Sequence, residues 1–119
     1  MALTLYGIPN CDTVKKARAW LTAQGVEYRF HDFKRDGVPT DIDAWIGALG
    51  WEALVNRAGT TWRKLDDATR AGVADASSAR ALMLAQPSVI KRPVVHWGAG
   101  HYTAGFDASR FAAHLAQQT

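Results

Sequence analysis

The sequence predicts a mixed α/β fold, on three observations. A strand–helix–strand pattern fills the first third, a middle stretch of about residues 36 to 88 carries helix signals without strand alternation, and a strand–turn–strand–helix pattern closes the chain. With 119 residues, 48% of them apolar, the chain is long enough for one core and too short to expect two domains. Residues 1 to 119 therefore read as a single domain with a helical insertion.

Residues 3 to 6 read as a buried strand, and Gly7, Ile8, Pro9 and Asn10 as the turn after it. From Asp12 to Gln24 the apolar residues Val14, Ala17, Trp20 and Leu21 share a helical face, Lys15, Lys16 and Arg18 point elsewhere, and Gly25 is a helix stop. Residues 26 to 33 alternate, with Val26, Tyr28 and Phe30 on one face and Glu27, Arg29 and His31 on the other. A short right-handed crossover makes this strand parallel to the first.

In the middle stretch, Thr40 or Asp41 caps a helix carrying Ile42, Trp45, Ile46 and Leu49, and Ser77 or Ser78 caps one carrying Ala81, Leu82 and Leu84. Pro87 ends the second. Between them, residues 54 to 65 read as a polar, glycine-punctuated turn with three basic residues, Arg57, Arg63 and Lys64. Residues 94 to 97 then form a strand, Gly98, Ala99 and Gly100 a tight turn, and residues 101 to 104 its hairpin partner. The last helix begins near Asp107, capped by Asp107 or Ser109, with Ala108, Phe111, Ala112 and Leu115 as its apolar stripe.

Composition removes several function classes. The single cysteine forms no internal disulfide, which fits a reducing cytoplasm. No basic leader precedes an apolar run at the N-terminus, and no stretch of about 18 apolar residues occurs, so neither export nor a membrane span is expected. The net charge of +3 comes from dispersed basic residues, and the five tryptophans lack interleaved basic residues; they read as core or rim packing rather than nucleic-acid platforms. His31, His96, His101 and His114 lack short ligand spacing, although His96 and His101 can meet across the hairpin, and no metal is expected. Gly7-Ile8-Pro9 has one glycine, too few for a phosphate loop.

The chemistry is concentrated at Cys11, between a strand and the start of a helix. There a thiolate faces unpaired backbone N–H groups and the positive end of the helix dipole, which lowers a cysteine pKa from about 8.5 toward the ~3.5–7.5 range. A free cysteine is also a small buried hydrophobe in many folds. Asn10 and Thr13 flank Cys11 and either orient a bound anion or cap the helix. Asp12 opposes a thiolate and Lys15, one turn along, acts against Asp12, a contest that sequence alone leaves open.

Three segments in order, residues 6 to 17 around Cys11, residues 59 to 65, and Ile90-Lys91-Arg92-Pro93-Val94-Val95, resemble the arsenate reductase (ArsC) and Spx family, in particular its YffB-like branch. The resemblance covers nearly the whole chain and implies a thioredoxin-like fold. It implies that Cys11 is the nucleophile, with Arg92 beside it and a cis peptide at Pro93. An arginine there stabilises the thiolate and clamps an oxyanion or carboxylate through two parallel hydrogen bonds.

Arsenate reductases of this family use three arginines around the cysteine. Arg92 matches one; Asn56, Arg57 or Arg63 fills the second position, depending on how the turn is aligned; Thr103-Ala104-Gly105-Phe106-Asp107 offers no third. Arsenate reduction is therefore not the first expectation. Spx-type regulators often carry Cys-x-x-Cys, whereas this chain reads Cys11-Asp12-Thr13-Val14 and has no resolving thiol of its own. The external thiol that Cys11 then needs is expected to be glutathione, abundant in a reducing compartment, so the expectation is a glutathione-linked thiol oxidoreductase with no bound cofactor, glutathione as co-substrate, Cys11 and Arg92 catalytic, and Asn10, Thr13, Arg57, Arg63 and Pro93 around the substrate. The alternatives the resemblance implies are an Spx-like regulator acting through RNA polymerase, or arsenate reductase activity. The chain is expected to be monomeric.

Overall fold

The computed structural model describes residues 3–118, which fall into two compact units. One holds the residues up to Asp36 together with those from Arg92 onward; the other is Gly37–Lys91.

The first unit is built on a four-stranded mixed sheet. Its strands are β1 (Leu3–Gly7), β2 (Tyr28–Asp32), β3 (Val94–Gly98) and β4 (His101–Ala104), in the spatial order β2-β1-β3-β4. β1 runs parallel to β2, with Leu3 opposite Tyr28 and Gly7 opposite Asp32, and antiparallel to β3, with Thr4 opposite His96 and Tyr6 opposite Val94. β3 and β4 form the hairpin, whose turn residues Ala99 and Gly100 both have positive φ, 51° and 77°. That is the requirement of the hairpin turn that matches strand twist.

Alternation puts Leu3 and Leu5 of β1 and Val95 and Trp97 of β3 on one sheet face. They join Val14, Ala17 and Leu21 of α1 (Asp12–Ala23) and Phe111 of α8 (Ala108–Gln118) in one buried cluster. Each such aliphatic side chain contributes roughly 1.5–3 kcal/mol on burial. Trp97 stays polar-satisfied in this core because its indole N–H donates to Thr103 Oγ1 at 3.0 Å. Arg18 of α1 stacks 4.1 Å above the Phe30 ring and donates to Tyr28 Oη at 2.9 Å, which ties the helix to β2.

The ends of these helices follow their sequence signals. Gly25, at φ 70°, closes α1: its N–H bonds the Thr22 carbonyl and the Val26 N–H bonds that of Leu21, both at 3.0 Å. Val26 is used in this stop, so β2 begins at Tyr28 rather than at 26, and at Phe33 the chain turns into α2 (Phe33–Asp36). Asp107 caps α8, its carboxylate accepting the Arg110 N–H at 2.9 Å.

The second unit is helical: α3 (Ile42–Leu49), α4 (Trp51–Leu54), α5 (Thr60–Lys64), α6 (Asp67–Ala71), α7 (Ala76–Ala85) and a 3₁₀ turn at Pro87–Val89. It differs from the sequence reading in its short helices, α4, α5 and α6, and in the cap of α7. Residues 54 to 65 are not one turn: Val55 bridges Ile90, and Thr60–Lys64 is helical. The cap of α7 is Asp75, not Ser77 or Ser78; Asp75 Oδ1 accepts the Ser78 N–H at 2.8 Å and the Ser78 hydroxyl faces back to the Asp75 N–H at 3.1 Å. Trp45, Leu54, Met83 and Ile90 are buried, and Arg80 pairs with Asp43 at 2.7 Å. No helix among the described residues is long and apolar enough to cross a membrane.

Candidate functional site

Cys11 is the N-cap of α1, in extended conformation at φ −90° and ψ 127°. Its carbonyl accepts the Lys15 N–H at 2.9 Å, which starts the helix, and its own N–H closes the preceding turn onto the Ile8 carbonyl at 3.2 Å. The side chain is thus set beside the first-turn N–H groups, which have no acceptor within the helix. Its side chain makes no capping hydrogen bond.

Five influences act on the balance between thiol and thiolate. Partial burial is the largest and pushes the thiol pKa up; the N–H of Val14, the hydrogen bond and positive charge of Arg92, and the N–H of Thr13 push it down. Together the stabilising groups prevail, and the thiol is held below its usual range. Neither Asp12 nor Lys15 is among the groups that set this balance. Arg92 is delivered by the segment entering β3, where the Arg92–Pro93 peptide is cis, as the resemblance implies. Pro93 is buried, and its carbonyl accepts the N–H of Gly105 at 2.9 Å, which fixes this segment to the end of β4.

Cys11, Arg92 and the Thr13 backbone therefore come together, and Asn10 is exposed in the turn just before the thiol. Asn56, Arg57 and Arg63 belong to the second unit. There Arg57 is exposed, its guanidinium 5.6 Å from the Trp51 ring and 5.7 Å from the Trp62 ring, so two aromatic faces hold it. Arg63 is exposed on α5, and Asn56 donates its N–H to the Val89 carbonyl at 2.8 Å. Where a third arginine was sought, Thr103 serves Trp97 and Phe106 meets Phe111 edge-on at 4.9 Å. That segment supplies core contacts in place of a cation.

Sequence reasoning missed the Val14 N–H, although the third helical position after a cap is where such a donor is expected. It also missed the Gly105–Pro93 hydrogen bond, for which the sequence carries no local signal. His96 stacks on Tyr102 at 4.5 Å, and no group of three or more His, Cys, Asp or Glu converges among the described residues.

The sequence profile of the ArsC family matches residues 6–114. A solved structure of the YFFB protein is 48% identical, covering 96% of this chain and 99% of that one, with a TM-score of 0.90. An arsenate reductase (ArsC) related protein from Brucella melitensis is also 48% identical, over 97% of this chain and 95% of that one, with a TM-score of 0.75. The global transcriptional regulator Spx of Streptococcus pyogenes is 27% identical over 78% of this chain and 70% of its own length. The mixed sheet of thioredoxin-like order, the cysteine at the first strand-to-helix turn and the match over nearly the full length lead to one conclusion: the chain belongs to the ArsC family.

Proposed function

We propose that this protein is a glutathione-linked thiol oxidoreductase in which Cys11 is the nucleophile and Arg92 the anion clamp. The observation that carries the reading is the thiol at the N-cap of α1 with Arg92 against it, an arrangement that favours the thiolate. In the cycle, the Cys11 thiolate attacks the glutathione sulfur of a mixed disulfide, breaks the S–S bond and expels the substrate as a thiolate, which takes a proton from water. A second glutathione, as its thiolate, attacks the new Cys11–glutathione disulfide. Glutathione disulfide leaves and Cys11 is again a thiolate, so two electrons have passed from glutathione to the substrate. The external thiol is needed because Cys11 is the only cysteine in the chain.

Arg92 takes a carboxylate of glutathione or the charge of the departing thiolate, and Asn10, Thr13 and Pro93 border the place where the peptide lies. Arg57 and Arg63 are the further cations proposed for an anionic substrate. Arsenate is a poorer ligand, since the segment after β4 contributes no arginine to bind its charge. Turnover of a glutathione mixed disulfide tests this reading. Cys11→Ser is expected to abolish it, and full activity in that variant sinks the reading.

A second reading is favoured by the Spx-named relatives: a regulator that binds RNA polymerase through its surface and needs no turnover. Retention of a polymerase subunit on the immobilised protein, with no glutathione-dependent turnover, would replace the enzyme by this regulator.

A further inference from the structure

Gly7 is the last residue of β1, buried, and faces α1. A Cβ placed on it would stand 2.8 Å from Val14 Cγ2, closer than carbon atoms pack, and 3.4 Å from Val14 Cγ1. Its φ is not among the positive ones, so the backbone there accepts any residue and the requirement for glycine is one of space.

Val14 is the third residue of α1, fully buried in the cluster formed with Leu5, Ala17 and Leu21. As a β-branched residue in a helix it keeps essentially one rotamer, so its methyl groups cannot swing aside. β1 cannot yield either, since Gly7 is paired with Asp32 and Tyr6 with both His31 and Val94. A side chain at position 7 would therefore displace the first turn of α1. The N–H groups of Thr13 and Val14, which face Cys11 Sγ, belong to that same turn.

We propose that Gly7 is a positioning residue for Cys11: its missing side chain lets Val14 seat against β1 and thereby sets how closely the first-turn N–H groups of α1 approach Sγ. The inference deepens the thiolate reading above and concerns the same sulfur. Arg92, the charged group facing Sγ, is carried by the segment entering β3, an element separate from β1 and α1.

The test is the ultraviolet absorbance of the thiolate followed against pH, with circular dichroism as the check on folding. In Gly7→Ala the inflection is expected to rise by about half a pH unit or more, as first-turn donors withdraw from the sulfur. Val14→Ala keeps the glycine but loses the methyls that seat against β1, so its own inflection is the reference for the double variant. In the double variant Gly7→Ala with Val14→Ala the inflection is expected to match that of Val14→Ala, because the space taken by the new methyl is given back. A merely structural Gly7 would lower stability in Gly7→Ala and leave the inflection where it was.

A folded Gly7→Ala with the wild-type inflection overturns the inference, and so does a double variant that keeps the full shift. Should Gly7→Ala not fold, Val14→Ile decides: it presses one more methyl against the same bare edge and is expected to raise the inflection, whereas no rise overturns the inference. A wild-type inflection near the ordinary ~8.5 counts against the thiolate reading itself. The Gly7 inference is judged by the differences among variants alone.

Discussion

Cys11 owes its character to neighbours that act on charge rather than shape. Burial works against its ionisation, and the Val14 and Thr13 N–H groups with Arg92 work for it and win. A thiol whose pKa is lower folded than unfolded adds stability that is fully present above the unfolded value of about 8.5 and is lost as pH falls through the folded value. Urea unfolding is therefore expected to show wild type gaining on Cys11→Ser as pH rises across that window, with a flat difference between the two at more acidic pH. The cysteine and its helix-start environment were legible in the sequence from the strand, turn and helix around residue 11. Arg92 and the cis bond at Pro93 were not legible from local chemistry and came only from the resemblance. The Val14 donor followed from cap geometry that becomes explicit only once Cys11 is known to be the cap itself.

The sheet and its two long helices stand on period and punctuation, which is why they were readable. Leu3 and Leu5, Val95 and Trp97 alternate, Gly25 stops α1 and Asp107 starts α8, each as its residue type requires. The helices α4, α5 and α6 have four or five residues each, a single turn with no period to detect, so the stretch after Leu54 read as a turn. Two serines stand nearer the apolar residues of α7 than Asp75 does and mask it as the cap; the second of them, Ser78, is the partner in the capping box. In the core, Thr103→Val removes the acceptor of the Trp97 N–H while preserving volume. Leaving that buried donor unpaired is expected to cost about 1–3 kcal/mol in denaturant unfolding, with the Cys11 reaction rate unchanged.

The chain divides into a unit that carries the thiol, its arginine and the sheet, and a helical unit that carries the remaining candidate cations, Arg57 and Arg63. A net charge of +3 adds a mild attraction for anions. Cys11 is therefore expected to react faster with an anionic disulfide such as glutathione disulfide than with a neutral disulfide of equal intrinsic reactivity. The advantage should shrink as ionic strength rises from about 0.01 to 1 M, where the screening length falls from about 30 to 3 Å. Equal rates at low salt would remove anion recognition from the proposed function. All of this depends on Cys11 being a thiolate stabilised by Arg92, and the rate of its alkylation by iodoacetamide as a function of pH, in wild type and in Arg92→Ala, reports that directly. An inflection below ~8.5 in wild type that moves upward in Arg92→Ala is the expected result. An inflection at or above ~8.5 in both proteins would contradict it.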